Sequence, residues 1–302
     1  MRALVTGGAG FIGSVLVERL VAEGHSVDVV DDLSTGLLVN LAEARADRTG
    51  ELHIHQADLR SPDVVELIAR RSPEVLFHLA ARVDVTSAVE EAEVNLLGSL
   101  RVVEAALAAG AAKVVFASDA AAVYGPGGGG GAPLREAQAG PSATPFGVSK
   151  QTVLEHLRLA RESAGMEFTA LALATVYGPR DRHGVVGRLV SGVLAGAEPV
   201  TVPGGSVDLV YVDDVVDAFV RAATRGGGLV CNVGSGVAIP VPDVARAAAA
   251  QAGVPDLATV PTAAASGPAL DAGRARIHLG WSPWTPLDEG LAHTLRWTAT
   301  HP

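Results

Sequence analysis

The sequence predicts an α/β fold, a doubly wound and mainly parallel sheet of about seven strands covered by helices, with a smaller C-terminal lobe. Three observations predict it. Short runs that are apolar on both faces alternate with longer amphipathic stretches, as strands covered by helices on each side require. A glycine-rich turn joins the first run to the first amphipathic stretch. After about residue 175 the alternation loosens as glycine and proline multiply.

The strands expected on this reading are Ala3–Thr6, Val27–Val30, Val75–Leu79, Val114–Ala117 and Phe168–Ala174. The helices between them are Phe11–Ala22, Asp63–Arg70, Val94–Ala109 and Val148–Ser163. Residues 1–174 then form the sheet domain and 175–302 a lobe over its carboxyl edge, with some chain crossing back to the sheet. In the lobe, short segments such as Pro199–Pro203 and Leu229–Val233 alternate with helices near Val212–Thr224, Pro242–Ala252 and Leu287–Thr298. The run Gly127–Gly131 reads as a surface loop.

Composition narrows the function. The 302 residues carry 23 basic and 33 acidic side chains, a formal charge of −10 that repels phosphate polymers and argues against a nucleic-acid partner. A single cysteine, Cys231, excludes an internal disulfide and a Cys-rich zinc site. No uncharged apolar run reaches 18 residues and no signal peptide precedes the first strand, so a cytoplasmic protein without a membrane span is expected. His53 and His55 share one face of a strand without a third ligand of suitable spacing, so no metal site is expected.

The stretch Thr6-Gly-Gly-Ala-Gly-Phe-Ile-Gly13 follows a strand and opens a helix. Gly7 permits the tight turn, Gly10 lets the backbone approach a pyrophosphate, and Gly13 lets helix and strand pack closely. The helix N-terminus behind them then holds phosphate. Asp31, at the end of the next strand, is placed to accept hydrogen bonds from an adenosine ribose. Asp32 beside it, with no arginine before Arg45, disfavours a 2′-phosphate, so NAD is the expected cofactor.

These stretches are part of a wider pattern: TGGAGFIGS (6–14), DDLSTG (31–36), ADL (57–59), FHLAA (77–81), NLLGS (95–99), VYG (123–125), GVSK (147–150), VYGPR (176–180), YVDDVVDAF (211–219), CNVGSG (231–236) and LGW (279–281). In order and spacing they resemble the extended short-chain dehydrogenase/reductase family, within it the NAD-dependent sugar epimerase/dehydratase group typified by UDP-glucose 4-epimerase. The resemblance implies a Rossmann-type fold. It implies that Asp58 and Leu59 flank the adenine, that Ala80 and Ala81 pass under the dinucleotide, and that Lys150 holds the nicotinamide ribose. Phe11, Ile12, Ser34 and Leu79 join the cofactor set on the same ground. It also implies a homodimer through Val94–Ala109 and Val148–Ser163, with Leu96, Leu97, Leu100, Val103, Val153, Leu154 and Leu157 as the apolar stripe.

The catalytic pattern departs from the family. Where the family has a tyrosine four residues before the lysine, this chain has Phe146 ahead of Lys150. A phenol of pKa ~10 gives up its proton near neutrality only with help from a nearby cation, and phenylalanine has no proton to move. The family's Ser or Thr after the central strand falls here at Asp119 or Ala120, with Ser118 close by. Thr175 replaces an asparagine, Val207 replaces an arginine, and Pro261–Pro268 lacks a further arginine, so the cations expected to hold a nucleoside diphosphate are missing. The candidates left for chemistry are Asp119 as a base, Lys150, Ser118, Tyr177 and His183. Tyr124 reads as a packing residue and His78 as a buried strand histidine. Two functions follow as expectations. One is an NAD-dependent oxidoreductase or isomerase that transiently oxidises a secondary alcohol of a sugar or sugar nucleotide. The other is an NAD-binding pseudoenzyme or scaffold recruited for non-redox chemistry on a small metabolite.

Overall fold

In the computed structural model, residues 1–83, 85, 87–125, 132–196, 200–254, 259–262 and 267–301 are described. The glycine run 127–131, Pro199 and residues 263–266 lie outside them. The chain begins β1 (Arg2–Thr6), α1 (Phe11–Ala22), β2 (Ser26–Asp31), α2 (Ala42–Ala46), β3 (Glu51–Gln56), α3 (Pro62–Arg71) and β4 (Val75–His78). It continues through α4 (Ala88–Glu91), α5 (Ser99–Ala108), β5 (Lys113–Asp119), α6 (Ala120–Tyr124), α7 (Pro145–Ala164) and β6 (Glu167–Leu173). Beyond these come β7 (Thr175–Tyr177), α8 (Val185–Leu194), β8 (Val200–Pro203), β9 (Ser206–Tyr211), α9 (Val212–Ala222) and β10 (Leu229–Val233). Last are β11 (Ala238–Pro240), α10 (Val241–Gln251), β12 (Thr259–Thr262), α11 (Gly273–His278) and α12 (Leu287–Thr300).

Seven strands form one parallel sheet in the order β10-β6-β5-β4-β1-β2-β3. Its pleat divides the core by alternation. Val5, Val29, Phe77 and Val115 face α1 and α9, while Leu4, Val30, Leu76 and Val114 face α3, α5 and α7. Both faces are apolar and covered, which is why these strands carry no polar alternation. A third core lies under α8, α10 and α12, against the small sheet β11-β9-β7. The strand β10 comes from beyond residue 175 yet pairs with β6 at the edge of the main sheet.

Local chemistry sets the helix ends. The helix α7 starts three residues before the expected Val148, because Thr144 accepts from the Gly147 N–H at 3.1 Å and Pro145 suits the first turn. It stops at Gly165, whose φ is +73°. The helix expected over Val94–Ala109 is not uniform: Ala92–Gly98 is π-helical and runs into α5. There Ser99 Oγ donates to the Asn95 carbonyl at 2.6 Å, and Gly98 closes on Leu59, whose Cβ lies 3.3 Å from where a glycine Cβ would sit.

The apolar stripe expected to face a second copy is largely spent inside the chain. Val103, Val153, Leu154 and Leu157 are buried, Leu96 and Leu100 pack against the same core, and only Leu97 of the seven is exposed. Those residues already satisfy the sheet-facing side of α5 and α7. No helix among the described residues is long and apolar enough to cross a membrane. His53 and His55 lie with Asp28 and Arg71, His55 Nε2 at 2.8 Å from Asp28 and Arg71 bonded to both Asp28 and His53.

Candidate active site

Strand order reverses between β1 and β4, and a cleft opens at the carboxyl ends of these strands, where open α/β sheets bind ligands. It has a volume of about 340 Å³. Along its lining lie Gly7, Gly10, Phe11, Ile12 and Gly13 from the first turn, Asp31, Asp32 and Ser34 from the end of β2, Asp58 and Leu59, and Leu79, Ala80 and Ala81 after β4. Every residue expected at the cofactor except Lys150 thus lines one cleft, and Lys150 reaches from α7 to the carbonyl of Ala117, which also lines it.

Each glycine has a geometric reason. Gly7 sits at φ +70°, and a Cβ there would lie 2.7 Å from the Ala80 nitrogen. A Cβ on Gly13 would lie 2.1 Å from the Gly7 carbonyl oxygen, so its close packing is against the loop itself rather than a strand. A Cβ on Gly10 would meet only that carbonyl, at 3.2 Å. No side chain caps α1 and no acid occupies its first turn, which leaves its N–H donors and the helix dipole for an anion. These features fit a dinucleotide pyrophosphate.

Asp31 is buried, with Oδ2 accepting from the Ala9 N–H and Oδ1 from the Leu33 N–H, both at 2.9 Å. Burial pushes its carboxyl above the usual range, while these two bonds pull it down. Asp32 accepts from the Ser34 N–H and hydroxyl. Chain distance concealed a cation that stands nearby: Arg60. It is engaged by Asp58 through contacts of 2.6–3.0 Å, and this pairing holds the Asp58 carboxyl below its ordinary value. Replacing Asp31 by alanine is expected to cost NAD about 1.5–3 kcal/mol of binding, roughly ten- to hundredfold, by calorimetry. NADP binding to the unaltered protein as tight as NAD would contradict this role.

Under the floor lies a buried chain of bonds. Ser99 gives its only hydroxyl proton to Asn95, so His78 Nε2 must donate to Ser99 Oγ at 2.8 Å. His78 Nδ1 is then the acceptor for the Thr6 hydroxyl at 2.6 Å, and Thr6 Oγ1 accepts the Ala80 N–H at 3.3 Å. Asn95 also bonds Arg82 at both its N–H and its carbonyl, which fixes the segment that follows β4. Burial lowers the His78 imidazole from 6.5 to about 3. Between those values the unfolded chain binds a proton that the native imidazole refuses, so this group's contribution to stability falls as pH drops from 6.5. The expected slope from this group is about 1.4 kcal/mol per pH unit. Urea midpoints from pH 7 to 5 should therefore fall more steeply for the unaltered protein than for His78→Gln.

The catalytic candidates separate. Lys150 is buried, its Nζ donating to the Ala117 carbonyl at 3.0 Å, and Ala117 lines the cleft. The Phe116 ring lies 4.7 Å and the Phe146 ring 5.5 Å from Nζ. Burial lowers this ammonium from 10.5 to about 8, against the raising fields of Asp119 and Glu91. Asp119 caps α6, accepting from the Ala122 N–H at 3.0 Å, and burial raises its carboxyl. Ser118 does not join them. It shares the α7 face of β5 with Phe116 and lines a separate hollow beside Gln151 and Leu154, not the cleft that Ala117 lines. Tyr177 is 1% exposed, edge-on to Tyr211, with its hydroxyl against Gly290 of α12, and so is a core residue rather than a cleft residue. His183 is exposed on the loop before α8 and is not among the residues that line the cleft. Tyr124 is buried and donates to Asn232.

The profile of the NAD dependent epimerase/dehydratase family matches residues 3–234. The chain belongs to that family. NAD is its cofactor, in keeping with the cleft described above. A UDP-glucose 4-epimerase of Mycolicibacterium smegmatis is 40% identical over 311 residues, covering 98% of this chain and 97% of that protein. The solved UDP-glucose 4-epimerase of Thermotoga maritima, with UDP-glucose, superposes with a TM-score of 0.91 at 32% identity over 100% of this chain and 99% of that one. The Thermus thermophilus UDP-glucose 4-epimerase, in complex with NAD, gives 0.88 at 33% identity over 98% of each chain.

Sequence reasoning missed several participants. Arg82, Val83 and Val94 also line the cleft, and Glu91, buried, accepts from Ser149 Oγ at 2.8 Å and Asn95 Nδ2 at 2.9 Å. The pair Asn95 and Ser149 lies within quoted motifs. Glu91 carries no such signal.

Proposed function

We propose that this family member is an epimerase- or dehydratase-type enzyme that transiently oxidises a secondary alcohol of a sugar or sugar nucleotide. The observation that carries the reading is the continuity of the cleft: one wall built for a dinucleotide leads to Ala117, to which the buried Lys150 is bonded. NAD, when bound, supplies the hydride acceptor and returns the hydride. The chain's own residues do the rest. The uncapped N-terminus of α1 binds the pyrophosphate, and Asp31 orients the adenosine ribose. Leu79–Ala81, held by the Thr6–His78–Ser99 bonds, forms a fixed floor. Phe146 is an apolar wall where a phenol would otherwise act, so proton handling falls to Lys150 and Asp119. A sugar nucleotide as substrate is supported by the names of the similar epimerases, two of them matched at TM-scores of 0.91 and 0.88.

The pseudoenzyme reading has its own support. Val207 is buried in the lobe core, and Arg135, Arg180 and Arg274 are engaged by Asp271, Glu18 and Glu136. A diphosphate would have to rely on N–H donors or on releasing one of these pairs. The experiment adds UDP-glucose, UDP-galactose and UDP-glucuronate to the NAD-loaded protein, following absorbance in the NADH band and sugar interconversion by NMR. Conversion or band growth with any of them supports the oxidative reading. Saturable NAD binding with neither signal on any sugar decides for the second.

A further inference from the structure

We infer that Lys150 Nζ is the atom that takes the substrate's hydroxyl proton and gives it back. The inference rests on the oxidative reading above and adds which group moves the proton. Lys150 is 4% exposed, yet among the described residues no carboxylate stands within 4 Å of Nζ to form an ion pair. Its one hydrogen bond goes to the Ala117 carbonyl, and the remaining contacts are the faces of Phe116 and Phe146. A lysine that serves only as a fixed cation is ordinarily met by an anion. This one is held by a neutral oxygen and two rings, an arrangement that tolerates the free amine as well as the ammonium.

Position agrees with this. The carbonyl that Nζ touches belongs to a cleft-lining residue on the strand next to β4, whose end forms the cofactor floor. The other buried lysine, Lys113, sits at the opposite end of β5, bonded to the Arg225 carbonyl and away from the cleft. Asp119, the rival, already spends its carboxylate on the N–H groups that open α6. Among the described residues, three titratable groups are coupled to Lys150 by charge: Asp119 from β5, Glu91 from α4 and His78 from β4. The two carboxylates favour the ammonium and burial favours the amine, which places the balance at about 8. His78 stays neutral at that pH.

The step balances. The substrate O–H bond breaks and its proton joins the amine lone pair, giving an ammonium. Bound NAD would supply the acceptor for the carbinol hydrogen and its electron pair as hydride, leaving the C–O bond as a carbonyl. On return the ammonium protonates the alkoxide as hydride comes back.

The test uses the NAD-loaded protein and the same three UDP-sugars, with calorimetric NAD titration alongside. The rate of NADH-band formation should rise about tenfold per pH unit and level off above an inflection near 8. Lys150→Arg, which has no free base in this range, should form the band at least ~10²-fold more slowly at every pH while still binding NAD saturably. Lys150→Met should behave the same if the guanidinium disturbs the cleft. Asp119→Asn should move the inflection to lower pH by about half a unit or more, because it removes a field that favours the ammonium. A Lys150→Arg rate within threefold of the unaltered protein overturns the inference, as does an inflection that Asp119→Asn leaves in place. Loss of saturable NAD binding in both Lys150 variants overturns it in favour of a cofactor anchor. No band in the unaltered protein at any pH overturns the oxidative reading itself, and this assignment with it.

Discussion

Gly13→Ala is expected to destabilise the protein by about 3 kcal/mol and to weaken NAD binding by at least a hundredfold. The added methyl would sit 2.1 Å from the Gly7 carbonyl oxygen and 2.9 Å from the Gly8 Cα, both backbone atoms that no rotamer can move aside. The turn must open instead. Gly7 cannot yield in isolation, since it stands at φ +70° against the Ala80 backbone, so the strain passes into the cofactor floor. Urea denaturation and calorimetric titration read the two losses. Gly10→Ala is the informative partner. Its methyl meets only one protein atom, at 3.2 Å, so NAD affinity should fall while the urea midpoint stays nearly unchanged. Equal stability losses in the two variants would refute this division of roles.

Asp208→Ala is expected to cost about 4 kcal/mol. Asp208 is 1% exposed, and its Oδ1 accepts from the Ser235 N–H at 2.7 Å and hydroxyl at 2.6 Å. Its Oδ2 accepts from the Gly236 N–H at 3.0 Å and the Leu270 N–H at 2.9 Å. One carboxylate thus pins two segments to β9, and truncation leaves several buried donors without an acceptor. Urea midpoints should drop, and limited proteolysis should cut first near residues 234–238. Asp208→Asn should cost less, because its amide can still accept at one oxygen but turns an N–H₂ toward other donors. An alanine variant within 1 kcal/mol of the parent would show that water replaces the carboxylate without loss.

Those two predictions mark the boundary of what could be read from the chain. The glycines and Asp31 are legible because their requirements are local: a positive φ, a close approach, an acid at a strand end. Alternation also reveals the sheet, since covered strands leave runs such as Val27–Val30. Asp208 lay hidden beside Val207, where a missing arginine drew attention, because its donors come 27 to 62 residues later and leave no periodicity. Tyr177 belongs to a recognisable motif, but its hydroxyl is directed at Gly290, more than a hundred residues on. Ser118 lines a hollow beside α7, while its neighbour Ala117 lines the cleft. Ala117 and Ser118 are consecutive on a strand and must point to opposite faces. The π-helical turn was not legible, since a single Gly98 in Ala92–Gly98 weakens a helix without specifying a wider turn.

The edge position of β10 bears on how the molecule is made. A ribosome releases β6 well before β10, and until Leu229–Val233 arrives, one side of β6 offers unpaired N–H and C=O groups across Thr169–Leu173. A nascent chain stopped near residue 174 therefore ends in a sticky border. The sequence distance between the two strands also slows closure of the sheet. Chaperones that shield that border during the intervening synthesis would raise the yield of native protein, and a gene split at this point would give an aggregating first fragment.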